Sequence, residues 1–169
     1  MLRVGKKLRE TRFFLRKLDE RAQMAFGDHE EFDFYLSALL SAARSVDCRL
    51  HYEEGDTYVA FRKSWDNALQ GNEQVLIKFM VDDRNVEVHG SGSNRAEYES
   101  RIPVFGSYQD KLGEVMVSAP PGCPSAEIIK PAYSFTIGGQ QFPVIECCRR
   151  YIELLERLLA DYCYSRGIA

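Results

Sequence analysis

The sequence predicts a mainly α-helical fold: an up-and-down bundle of four or five helices with a small β-rich insertion before the last one. Three observations predict it. Apolar residues recur at helical spacing through most of the first half. From about residue 95 to 143 the pattern changes to short alternating runs broken by glycine and proline. A second long helical stripe then closes the chain. The 169 residues fit one domain, 1–169, large enough to bury a core without disulfides or metal.

Leu8, Phe14, Leu15, Leu18, Ala22 and Ala25 mark a first helix ending near Gly27. Asp28 reads as the N-cap of a second, with Glu31 three residues on as in a capping box. Its stripe is Phe32, Tyr35, Leu36, Leu39, Ala43, Val46 and Leu50. The small residues Ser37, Ala38, Ser41, Ala42 and Ala43 let a neighbouring helix come close. "HYEEGD" reads as a loop, and Tyr58, Phe61, Arg62 and Trp65 as a short third helix. A fourth helix spans about residues 73–89; Val75, Leu76, Ile77, Phe79, Met80 and Val81 make its first half apolar almost all round, which predicts a central position. "GSGSN" is a flexible exit from it.

Short strands follow around Tyr98 to Phe105, at Val115 and Val117, and from Ile128 to Ile137, with "TIGGQQF" as a hairpin turn. The closing helix carries Ile145, Cys148, Tyr151, Ile152, Leu155, Leu158, Leu159 and Tyr162 on one stripe.

Composition sets the class. Hydrophobic content of 45% and charged content of 28% are globular values and exclude a disordered chain. No apolar run spans a bilayer and none resembles a signal peptide, so the reading is soluble and cytoplasmic, with no membrane partner. Five scattered cysteines without C-x-x-C spacing fit a reducing compartment; Cys147 and Cys148 read as small helix-packing side chains. The net charge is −3, but residues 1–17 hold seven cations against Glu10, so this segment is +6 and the remainder −9. Arg9, Arg12 and Arg16 therefore form a candidate RNA-binding helix, the alternative being a solvated face.

Several chemistries drop out. "DHEEFD", residues 28–33, groups four carboxylates with His29, but acidic residues also suit a helix N-terminus. With three histidines in the chain, a multi-histidine metal site is ruled out, and neither a metal nor a cofactor is expected. "HGSGSN" follows a helix, whereas a phosphate cradle precedes one. The P-loop, dinucleotide and hydrolase-elbow motifs do not occur.

What remains is the end of the fourth helix, "VDDRNVEVHG". A core helix ending in so many polar groups costs desolvation unless they are paired, exposed or used. On an ideal helix Arg84 and His89 stand about 140° apart and roughly 7.5 Å along the axis, so they form no tight pair within the helix unless the long Arg84 side chain reaches round, and a compact site is better built from two chains. Asn85 and His89, four apart, share a face, and the dipole at the helix end favours the imidazolium. Arg with His suits phosphate chemistry: one holds the anion while the other moves protons.

"RNVEVH", residues 84–89, following "FDFYLSALLSAARSV" and "VLIKFMVDD", resembles the HEPN domains of prokaryotes, whose hallmark is Arg, a polar residue and His near the end of a bundle helix. The resemblance runs from about Phe14 to Gly90, with the last helix in the right place and the insertion outside it. It implies a HEPN-like helical domain, a homodimer that joins two motifs in one cleft, and a metal-independent endoribonuclease of toxin–antitoxin, defence or RNA-processing type. Arg84 would clamp phosphate, His89 act as acid or base and Asn85 support it; an antitoxin or nucleotidyltransferase would be a partner. Other HEPN members are non-catalytic modules that bind RNA or protein, and this reading stands beside the enzyme. A third is an unrelated helical protein in which Arg84 and His89 satisfy Asp82, Asp83 and Glu87. For a homodimer, the fourth helix and "LSALLSAA" are the expected contact, with the last helix beside them.

Overall fold

A computed structural model describes the backbone of residues 2–23, 29–89, 95–104, 108–109, 115–117 and 126–168. For residues 2, 29, 84–89, 102–104, 108–109, 115–117 and 126–130 only the main chain is described. The helices are α1 (Leu2–Ala22), α2 (His29–Glu54), α3 (Asp56–Ala68), α4 (Gly71–His89) and α5 (Val144–Ser165). Between α4 and α5 lie β1 (Arg95–Val104), β2 (Tyr108–Gln109), β3 (Val115–Val117), β4 (Ala126–Ile137) and β5 (Gln140–Pro143). The chain is thus mainly helical with a small β insertion, and the insertion begins and ends where the sequence pattern changes.

The stripe on α2 explains its place. Phe32, Leu36, Leu39, Ala43, Val46 and Leu50 are all buried, and each large apolar side chain so buried contributes roughly 1.5–3 kcal/mol. Leu40 and Ala42 are buried as well, so α2 has apolar surface to offer α1, α3, α4 and α5, and it touches all four. Helix α5 also touches every other helix, through Cys148, Tyr151, Ile152, Leu155, Leu158 and Tyr162. These two helices form the centre.

Helix α4 is not central, contrary to its apolar composition. Ile77 and Met80 face inward, but Val75 is 50% exposed and Gln74, Lys78 and Asp82 face solvent. It packs on α2, α5 and β4 along one side only. A continuous apolar run records how much apolar surface a helix has, not how many neighbours its own chain provides.

The expected "HYEEGD" loop is likewise absent. Helix α2 continues through Glu54, and Gly55 alone separates it from α3. Its φ of 57° and ψ of −137° are open to glycine. The Gly55 N–H still donates to the carbonyl of His51 at 2.9 Å, and the Gly55 carbonyl accepts from the Tyr58 and Val59 N–H groups at 3.1 and 3.2 Å. Ala25, Gly27 and the Asp28 cap, like the "GSGSN" exit, lie outside the described residues.

The sheet has the order β1-β4-β5, antiparallel throughout. Gly138 and Gly139, with φ of 60° and 82°, make the two-residue turn between β4 and β5, where both positions need positive φ. Phe135 of β4 is fully buried and meets Phe79 of α4 edge-on at 5.0 Å. Tyr133 stacks on Phe32 of α2 at 3.9 Å. The insertion is thereby docked on the same core as the helices.

Candidate functional site

Helix α4 runs unbroken to His89, so residues 84–89 occupy the last turns of one continuous helix. Arg84 and His89 keep the roughly 140° divergence and 7.5 Å offset of a regular helix. The side chains of Arg84, Asn85 and His89 lie outside the described residues. Just before them Asp83 is 1% exposed and Met80 1% exposed, which anchors the helix end in the core. Cys148 of α5 is fully buried beside them; burial first, then the charges of Cys147 and Asp83, hold its thiol well above the ordinary range.

After the helix end the chain is fastened again. Arg95, the first residue of β1, donates two hydrogen bonds to the Asp33 carboxylate of α2, and its guanidinium lies 4.4 Å from the Tyr133 ring centroid. Five residues separate His89 from Arg95, so the helix end stays within about 20 Å of this clamp.

The same clamp disposes of the acidic cluster. Asp33 binds Arg95, and Glu31 binds Arg21 of α1 at 2.7 Å. These carboxylates fasten α2 to β1 and to α1. Among the described residues no three His, Cys, Asp or Glu side chains are grouped as a metal ion would need; Asp28 and the His29 side chain lie outside them.

On α1 the three arginines differ. All are exposed. Arg12 donates to Glu156 of α5 at 2.5 Å; that hydrogen bond, with the Glu156 charge, raises its pKa further. Arg16 is 3.8 Å from Glu20 and sits over the Phe13 ring at 5.5 Å. Lys7 and Lys17 are paired with Glu10 and Glu20. Much of the +6 charge is therefore met locally.

Two buried polar assemblies give no signal in the sequence. Asp47 accepts hydrogen bonds from Tyr58, Arg44 and Arg62, and Arg62 also holds Asp66. Asp47, Tyr58, Arg62 and Asp66 line an open groove of about 410 Å³ with His51 and Lys63. Burial, then the charge of Asp47, pushes the Tyr58 phenol well above its ordinary value. It stays a donor to Asp47. In the second assembly Glu73 of α4, 5% exposed, accepts from Arg150 and Arg157 of α5. Trp65 donates to Asp161 at 2.8 Å and lies beside Arg62 and Arg157.

Cys147 and Cys148 pack in the core, as the sequence predicts, whereas Cys48 is exposed. Cys147 and Cys148 are buried, and burial pushes the Cys147 thiol up to about 11, leaving negligible thiolate at neutral pH. Among the described residues no helix is long and apolar enough to cross a membrane. Comparison with known proteins places the chain in no family: no family model, curated protein or solved structure matches it.

Proposed function

We propose that the protein is a homodimeric, metal-independent endoribonuclease of HEPN type, acting in the cytoplasm with its site built from two copies of Arg84, Asn85 and His89. The observation that carries this reading is the sequence "RNVEVH" at the end of α4, in a mainly helical fold closed by α5. Arg84 and His89 diverge on their own helix, so two chains related by a two-fold axis are needed for a compact site. The proposed chemistry is attack of an RNA 2′-hydroxyl on the adjacent phosphate. One His89 takes the hydroxyl proton and the other protonates the leaving oxygen, each worth roughly 10²–10⁴-fold. The two Arg84 guanidinia hold the charge that builds on phosphorus. An antitoxin or nucleotidyltransferase partner would restrain such an activity.

The test is cleavage of RNA by purified protein freed of partners. Activity should persist in EDTA, leave 2′,3′-cyclic phosphate ends and spare DNA, which lacks the nucleophile. Arg84→Ala and His89→Ala should each remove it. Cleavage that survives His89→Ala would sink the assignment, and binding without cleavage would leave a non-catalytic RNA module.

A further inference from the structure

We propose that the outward face of α1 is a binding strip for single-stranded RNA, in which Phe13 stacks on an unpaired base while Lys6, Arg9 and Arg16 hold the flanking phosphates. This rests on the reading of the protein as one that acts on RNA, and it specifies the form of that RNA.

Phe13 is the starting point. Among the described side chains of α1 the other large apolar residues turn inward: Val4, Leu8 and Leu18 are buried, and Phe14 and Leu15 pack against the core. Phe13 instead leaves 44% of its surface in solvent, so packing within the chain does not account for it. The ring is also held in place. Phe14 meets it edge-on at 5.4 Å and 73°, and the Arg16 guanidinium lies 5.5 Å from its centroid. A ring fixed beforehand loses little freedom when a base stacks on it.

Its neighbours are cations. Around the helix axis Lys6 lies roughly 20° from Phe13, Arg9 roughly 40° and Arg16 roughly 60°, and together they extend about 15 Å along it. Among the described residues Lys6 and Arg9 form no ion pair, whereas the Arg12 charge is met by Glu156. The strip therefore uses Lys6 in the place that sequence pattern gives to Arg12. An aromatic platform flanked by cations suits single strands, since duplexes keep their base faces stacked away. An anionic membrane is the poorer fit, because it needs a broad apolar helix face and α1 exposes one ring.

The test uses the full chain and a short single-stranded 2′-O-methyl RNA, which cannot be cut at its blocked hydroxyls, with binding read by fluorescence anisotropy. Phe13→Ala should weaken binding roughly 5- to 100-fold, the range of one lost base stack, with an unchanged salt slope; Phe13→Trp should retain it. Lys6→Gln with Arg9→Gln should flatten the salt slope. The duplex form should bind more weakly and ignore Phe13→Ala. Affinity within twofold of wild type for Phe13→Ala, a preference for duplex, or binding to phosphatidylserine vesicles without binding to the oligonucleotide would overturn the proposal. Cleavage is scored separately: a Phe13 effect without cleavage defeats the nuclease alone, and cleavage without a Phe13 effect defeats the strip alone.

Discussion

Glu73 stands three residues after Gln70, accepts the Gln70 backbone N–H at 3.2 Å and faces Arg150 and Arg157 across the helix interface. It therefore caps α4 and joins it to α5 in one stroke. Both arginines are about half exposed, so the pair is worth less than a fully buried one. Glu73→Ala should cost about 1–3 kcal/mol in urea unfolding, and a change under about 0.5 kcal/mol would show that the assembly holds nothing. The acid limb follows from the same residue. Hydrogen bonding to Arg157, aided by the Gln70 amide and both guanidinium charges, holds the Glu73 carboxyl below its ordinary value of 4.5. Its contribution is complete above that value and is lost as pH falls through the lower, folded-state value. Glu73→Gln should therefore flatten the stability curve below about pH 4.5 and leave its neutral-to-alkaline slope alone.

The β4–β5 hairpin and α4 make contrasting predictions at the level of elements. Gly138 and Gly139 both need positive φ, so alanine at either should cost about 1–2 kcal/mol, read as a lowered Tm. Asparagine should be milder. On α4, Met80→Ala empties a buried site and should cost about 2–5 kcal/mol. Val75→Lys points into solvent and should stay within about 0.5 kcal/mol for the isolated chain. The helices and the extent of the insertion were legible because burial imposes a period that local residues carry, as the α2 stripe shows. Two features were not. The Glu53–Glu54 pair before Gly55 looked like a loop because carboxylates at a helix end oppose the dipole, yet one glycine sufficed to turn the chain. Glu73 gave no signal, since it meets its arginines 77 and 84 residues away and no short-range pattern records such a pairing; Asp47 has Arg44 three residues before it, but Tyr58 and Arg62 reach it from the next helix, 11 and 15 residues on. Arg84 and His89 were read from the polar end of the fourth helix and the resemblance of "RNVEVH" to a family motif, and their roles are a proposal.

For the whole molecule the question is how two copies would meet. The segment 36–43 is largely covered: Leu36, Leu39, Leu40, Ala42 and Ala43 are buried within the chain. Its part-exposed Ser37, Ala38 and Ser41 remain for the contact expected from its small residues. The outer side of α4 offers another, since it carries the exposed Val75 and leads to the motif. If the homodimer proposed above uses it, Val75→Lys should convert dimer to monomer in light scattering at micromolar concentration while far-ultraviolet circular dichroism stays unchanged. A variant that remains fully dimeric would move the interface elsewhere, and a monomeric wild type would remove the composite site.

The dependence of α3 and α4 on α5 has a consequence during synthesis. Trp65 finds Asp161 96 residues later, and Glu73 waits 77 residues for Arg150. At roughly 5–20 residues per second that interval is about 4–15 s. Throughout it the apolar side of α2 that α5 covers is open, and the ribosome displays four helices without their closing partner. Chains stalled before Val144 should be cut rapidly by protease within α2–α4, and chains released past Ser165 should resist. The helix made last within this fold is thus the one that shuts it.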